Sequence, residues 1–311
     1  MAKIKVQKTE TLAEVFSLFI LSKKAQGITD KTVNSYLQHF RAISKHLNTD
    51  LDISELSSKD LEQMIHSMRQ SELSPNSIRS YTITMKAFLS WCNTNSITTL
   101  NISLYKGEEI IKETYSDDEL KVLLKKPNMR KCDFSEYRSW AIINFLVNSG
   151  SRAATIRNIK LCDLDLNNCL IYARHTKNKR ALAIPLCSEL ICVLREYLQI
   201  RGGEQEDYLF CNESGQQLTE SALRSSIARY NHRRGIRKTS IHLFRHTFAR
   251  KYLVDCGGDA FTLQRLLGHS TLDMTKHYCA IFDADITRNF DKFSPLAQIR
   301  NTNSKIRVGK R

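Results

Sequence analysis

No segment of this 311-residue sequence is long and apolar enough to cross a membrane, and the opening Met-Ala-Lys-Ile-Lys lacks the apolar core of a secretory signal. A cytoplasmic protein with no membrane partner is the expectation. Cys-x-x-Cys is missing as well. The nine cysteines (Cys92, Cys132, Cys162, Cys169, Cys187, Cys192, Cys211, Cys256, Cys279) are odd in number and scattered through periodic segments. They indicate neither a disulfide framework nor a zinc module, and are expected as buried thiols in a reducing compartment. Internal repeats and low-complexity tracts are absent. Acidic charge is in deficit: 32 Asp and Glu stand against 47 Lys and Arg, a net charge of +15. That imbalance favours a polyanionic partner, nucleic acid, over a basic surface serving solubility alone.

What is present begins with 41% hydrophobic residues, enough for packed cores, in a length that suits roughly two domains. Across roughly the first hundred positions the apolar spacing is helical. Leu12, Val15, Phe16, Phe19 and Ile20 mark a first helix with Thr9 or Thr11 as its cap. A second starts at Thr29 or Asp30 and carries Val33, Tyr36, Leu37, Phe40, Ile43 and Leu47. A third covers 58–70, and the Ser74-Pro75 step opens a fourth that includes Trp91. The pattern weakens over 101–114. Ser116, with Glu119 three residues on, then carries the capping-box signature of a new helix.

Beyond that point the pattern is mixed. A helix over 135–148 ends at Gly150, suited to a C-terminal cap, and a short one follows Arg152 over 153–159. Strands are expected at 161–166, 169–173, 181–186 and 208–210, with the polar turn Arg174-His175-Thr176-Lys177-Asn178-Lys179-Arg180 between the second and third. Helices are expected at 188–200, 219–234, 242–254, 261–267 and 283–290. The fold class is mainly α: a helical-bundle N-terminal domain plus a mixed α+β domain with a small antiparallel sheet. We place the first domain at 1–105, a linker at 106–115, the second domain at 116–292 and a basic tail at 293–311.

Three local arrangements carry chemistry. They are the Asn-Ser-Gly-Ser-Arg turn ending at Arg152, the His-Leu-Phe-Arg-His run from His242 to His246, and Leu-Leu-Gly-His-Ser ending at Ser270, with Tyr278 nine positions after His269. His242 and Arg245, three apart, share a face at a helix N-terminus, where partial positive charge and free amides favour phosphate. Two arginines suit the non-bridging oxygens of a phosphodiester because the guanidinium makes paired hydrogen bonds and stays charged. Histidine exchanges protons near neutral pH. A zinc site of His242, His246 and His269 is the rival reading, but the metalloprotease arrangement needs Glu after the first histidine, and Leu243 stands there. Arg233-Arg234-Gly235-Ile236-Arg237-Lys238 is a dense basic run suited to a DNA backbone.

Arg152, Lys177, His242, Arg245, His269 and Tyr278 together resemble the active site of the tyrosine recombinase (phage integrase) family. The resemblance extends over nearly the whole chain. It implies a site-specific DNA recombinase of the mobile-element integrase type in which Tyr278 is the nucleophile and Arg152, Arg245, His242 and His269 hold the phosphate. Lys177 on the hairpin turn would protonate the leaving hydroxyl, with Lys179 as the alternative. The helical domain would be the core-binding domain, touching DNA through Lys31, Arg41, Lys45, Arg79 and Lys86. Lys179, Arg180, Arg233, Arg234, Arg237 and Lys238 would add contacts from the catalytic domain. No metal or cofactor is implied. The implied partners are double-stranded recombination sites and a homotetramer assembled through the C-terminal segment, with or without accessory proteins. One departure stands out: the carboxylate usual three residues after the first arginine is replaced by Thr155. A Xer-type dimer resolvase, a type IB topoisomerase and a catalytically weak DNA-binding regulator are the alternatives.

Overall fold

The computed structural model describes residues 10–107, 113–174 and 182–269, together with residues 271 and 296. Among these it contains eleven α-helices and one three-stranded antiparallel sheet, so the chain is mainly α, as its periodicity predicts. It divides into two compact units, residues 1–110 and 111–311.

The first unit is built from α1 (Leu12–Ala25), α2 (Asp30–Ile43), α3 (Ser58–Gln70) and α4 (Pro75–Thr94). Each start is chemically marked. Thr11, Thr29, Ser57 and Ser74 accept from backbone amides of the first turn, and Glu14 and Asp60 return the bond to complete capping boxes at α1 and α3. Aromatic residues close the core: Phe16 stacks on Phe40 at 3.8 Å and lies 5.2 Å from Phe88. Burying one such ring contributes roughly 1.5–3 kcal/mol. The basic side chains Lys31, Arg41, Lys45, Arg79 and Lys86 are all exposed.

The second unit forms around α6 (Phe134–Ser149), where Tyr137 to Ile143, Phe145 and Leu146 are buried almost without a break. A helix apolar on nearly every side belongs inside a core. It is surrounded by α5 (Asp117–Leu124), α8 (Ser188–Arg201), α9 (Glu220–Arg233) and α10 (Ile241–Arg250). The short α7 (Ala153–Asn158) follows it, and α11 (Ala260–Leu267) packs through Leu263 and Leu267 against Phe248 and Ala249 of α10. The sheet consists of β1 (Leu164–Asp165), β2 (Leu170–Ala173) and β3 (Leu182–Pro185). Ile171 pairs with Ile184 on the buried face, while Tyr172 and Ala183 pair on the exposed one.

Three local expectations change. Residues 161–166 form a single 3-10 turn at Leu161–Asp163 followed by the two-residue β1. The cause is a distant backbone partner: Leu161 and Cys162 donate to the carbonyls of Asp207 and Gln205, outside the ladder. Residues 208–210 contribute only an isolated bridge between Lys160 and Tyr208. The helix expected over 242–254 stays α-helical to Arg250, then widens into a π-helical turn at Lys251–Asp255. The cysteines also differ from expectation. Only Cys92 and Cys211 are buried; Cys169, Cys187, Cys192 and Cys256 are exposed, and Cys279 lies outside the described residues.

Candidate active site

Helix α6 stops at Gly150, whose φ of 56° is left-handed and whose amide closes on the Leu146 carbonyl. The chain reverses through Ser151, where the Ser149 hydroxyl accepts from the Ser151 amide at 3.2 Å. Arg152 follows as the N-cap of α7 in extended geometry. That geometry sends its side chain toward the end of α11, where Nη1 donates to the carbonyls of Leu267 (3.2 Å) and Gly268 (3.4 Å). Thr155, at the position of the missing carboxylate, is buried inside α7.

Arg245 comes from α10. Although it is a cation, it is only 4% exposed. Nη1 donates to the Gly150 carbonyl at 2.9 Å, and Nη2 donates to the Leu267 carbonyl at 2.9 Å. Nη2 also lies 2.6 Å from His269 Nε2. A guanidinium has no acceptor, so His269 Nε2 must accept, which places the imidazole proton on Nδ1. His242, one turn before Arg245, is exposed at the start of α10. Ser240 provides no side-chain cap there, so its hydroxyl does not satisfy the first-turn amides that give a helix N-terminus its partial positive charge.

His269 is delivered by the stop of α11. Gly268 adopts φ 61°, and the His269 amide donates back to the Gln264 carbonyl at 3.0 Å. Its side chain is 9% exposed. Burial first, then the nearby charges of Arg245 and Arg152, depress its pKa to about 4. It is a neutral imidazole at pH 7. Two guanidiniums beside one another repel, and the C-terminal carbonyls of α11 offset this because that helix end carries partial negative charge.

Arg152, Arg245 and His269 are thus brought together from three separate elements, and His242 sits on the same helix as Arg245. Lys177, Lys179, Arg180 and Tyr278 lie outside the described residues. Among the described residues no three His, Cys, Asp or Glu side chains group to hold a metal ion, so the zinc arrangement of His242, His246 and His269 is not formed.

The basic run around α9 divides. Arg234 lies over the Tyr230 ring at 3.6 Å and donates to Glu136 at 3.0 Å. Arg233 pairs with Glu136 at 3.5 Å. Lys238 donates to Glu119 (2.9 Å) and to the Thr114 carbonyl (3.0 Å). Arg237 is exposed. Sequence reading found the glycines that end α6 and α11 but not their second use: the carbonyls of Gly150, Leu267 and Gly268 are the anchors of both arginines. No periodicity encodes such a main-chain role. It also missed Arg138, buried in α6 and donating to the Cys211 carbonyl at 2.7 Å.

Residues 113–284 match the phage integrase family, and residues 20–115 match the phage integrase N-terminal SAM-like domain. A tyrosine recombinase XerC of Thermodesulfovibrio yellowstonii is 28% identical over 228 residues, 69% of this chain and 74% of that protein. A tyrosine recombinase XerD of Staphylococcus haemolyticus is 25% identical over 300 residues, 93% of this chain and 100% of that protein. Among solved structures, the Tn1549 transposon integrase in complex with transposon right end DNA covers 86% of this chain and 94% of its own, with a TM-score of 0.74 at 17% identity. At that identity the likeness speaks for the fold.

Proposed function

This chain belongs to the phage integrase family of tyrosine recombinases, enzymes that cleave and rejoin DNA, and from that premise we propose a site-specific recombinase of the mobile-element integrase type. The observation that carries the reading is the convergence of Arg152, Arg245 and His269 on the end of α11, with both guanidiniums held by the Leu267 carbonyl. Those carbonyls bear no formal charge. They orient the arginines as a carboxylate would without cancelling the charge that a phosphate needs.

The Tyr278 phenol oxygen attacks the scissile phosphorus, with its proton passing to His242. Arg152 and Arg245 bind the two non-bridging oxygens as negative charge accumulates on them. His269, neutral and carrying its proton on Nδ1, donates a further hydrogen bond to the phosphate. The phosphorus–O5′ bond breaks, and the leaving oxygen takes a proton from Lys177, or from Lys179 on the same turn. The product is a 3′-phosphotyrosine and a free 5′-hydroxyl. Attack by the 5′-hydroxyl of a partner strand reverses these steps and regenerates Tyr278, so the energy of the phosphodiester is conserved. Exchange between two duplex sites needs four protomers, joined through the C-terminal segment. Exposed Lys31, Arg41, Lys45, Arg79, Lys86 and Arg237 support backbone contacts. Arg233, Arg234 and Lys238, already paired within the fold, have less to give.

The test is covalent trapping. Duplexes from the flanks of the gene, nicked beside the candidate cut, are incubated with the protein in EDTA and then denatured in SDS. A DNA–protein adduct that disappears in Tyr278→Phe is expected. Tight binding with no adduct on any flank would overturn the catalytic reading in favour of a DNA-binding regulator. A second reading, a dimer resolvase of the Xer type, is supported by the match to XerD along that protein's whole length. Cleavage confined to a chromosomal site, with none at the gene's flanks, would favour it.

A further inference from the structure

The face that α2 turns to solvent carries more than charge. Lys31, Asn34, Gln38 and Arg41 are exposed, and Lys45 continues the line just past the helix end. They recur in steps of three and four residues, which aligns them in one stripe. The opposite side, with Val33, Tyr36, Leu37, Phe40 and Ile43, packs into the core. The stripe has two carboxamides at its centre and cations toward its ends. Asp30 is the helix's one acidic residue, set at its first position. Helix α4 is tied to α2 through His39, whose Nδ1 lies 2.7 Å from Thr84 Oγ1 and whose ring meets Tyr81 edge-on. Its twenty residues include no acid, and it exposes Arg79 and Lys86.

We propose that Asn34 and Gln38, on the face of α2 that would meet the major groove of the target duplex, set base preference there, each selecting adenine. The assignment rests on the recombinase reading above and extends it to the sequence the enzyme prefers. A carboxamide offers one acceptor and one donor side by side, matching the N6 amino group and N7 of adenine, whereas guanine presents two acceptors at that edge. An α-helix about 10–12 Å across fits a major groove about 12 Å wide. Four residues separate the two carboxamides, about 6 Å of helix, or roughly two base-pair steps. The flanking cations reach the phosphates, which fix register but carry no sequence information.

The experiment selects bound duplexes from a library randomised on both sides of the cleavage site, using the full-length protein in EDTA, and sequences them. The wild type is expected to enrich adenine at two nearby positions. Asn34→Ala and Gln38→Ala are each expected to lower the preference at one of them by about tenfold, with the salt dependence of binding unchanged. Gln38→Glu is expected to turn its position from adenine to cytosine, because a carboxylate accepts from the cytosine N4 amino group. That switch requires a folded variant. Arg41→Ala is expected to weaken all sequences alike. Base profiles of the Asn34 and Gln38 variants that superimpose on the wild type overturn the assignment and leave the recombinase reading standing. A wild type that binds no duplex overturns both.

Discussion

Arg152 and Arg245 donate to the same atom, the carbonyl oxygen of Leu267, at 3.2 and 2.9 Å. One helix end thereby sets the separation of two cations that arrive from different parts of the fold. The guanidinium fork makes this possible, since Arg245 serves Gly150, Leu267 and His269 through two nitrogens.

Arg245→Lys keeps the charge and loses the fork. The expected result is a fall of roughly 10²–10³ in the single-turnover rate of adduct formation on a nicked duplex. Duplex affinity should change little. A rate within a factor of about two of the wild type would show that positive charge alone suffices and that the geometry is incidental.

His269 gives a pH dependence with a definite sign. Its folded pKa, about 4, lies below the unfolded value of about 6.5. Between these values the unfolded chain binds the proton and the folded one does not, so stability rises with pH through the window. The contribution is complete above about 6.5 and is lost as pH falls toward 4. Urea unfolding at pH 5 and 7.5 should therefore show the wild type losing more stability on acidification than His269→Asn. Equal losses would mean that His269 titrates normally. An NMR titration of the ring reads the same point directly.

Gly150 carries a backbone role and an anchoring role at once. A Cβ there would approach Phe248 Cδ1 to 2.7 Å and Leu267 Cδ2 to 3.0 Å, at a φ of +56°. Gly150→Ala should cost about 2–4 kcal/mol, from left-handed strain together with overpacking, and should slow cleavage because Leu267 is displaced. Gly27→Ala is the control. Its φ is +74° with nothing within 4 Å of the added carbon, so a loss of about 1 kcal/mol and normal cleavage are expected. Equal effects on stability would show that packing around Gly150 yields freely.

Arg234 and Arg237 separate fold from binding within one basic run. Arg234→Ala removes the contact over Tyr230 and the bond to Glu136, and should lower stability by roughly 1 kcal/mol. Arg237→Ala, at an exposed position, should leave stability unchanged and reduce the slope of log K against log salt by about one. Thermal melts and salt-dependent binding on both variants decide it. The reverse pattern would place Arg234, rather than Arg237, on the DNA.

Local chemistry was legible along the chain. Thr29, Ser74 and Ser116 each announce a helix because a side-chain oxygen is needed where backbone amides lack partners. Gly150 and Gly268 end α6 and α11 because both positions need a left-handed φ. The mainly α class follows from apolar spacing, whereas the residues of the candidate site were singled out by their resemblance to the tyrosine recombinase family. The strand expected over 161–166 failed because Leu161 and Cys162 find acceptors at Asp207 and Gln205, a choice made by distant backbone. Arg233, Arg234 and Lys238 read as a basic run, yet Glu136 and Glu119 reach them only after α5, α6 and α9 have packed. Sequence by itself determined which residues are able to cap, turn, bury or carry charge, since these are properties of single side chains and short intervals. Tertiary structure alone decided that Arg152, Arg245 and His269 share the end of α11 and that His269 is neutral there, because proximity and burial exist only once separate helices have closed around them.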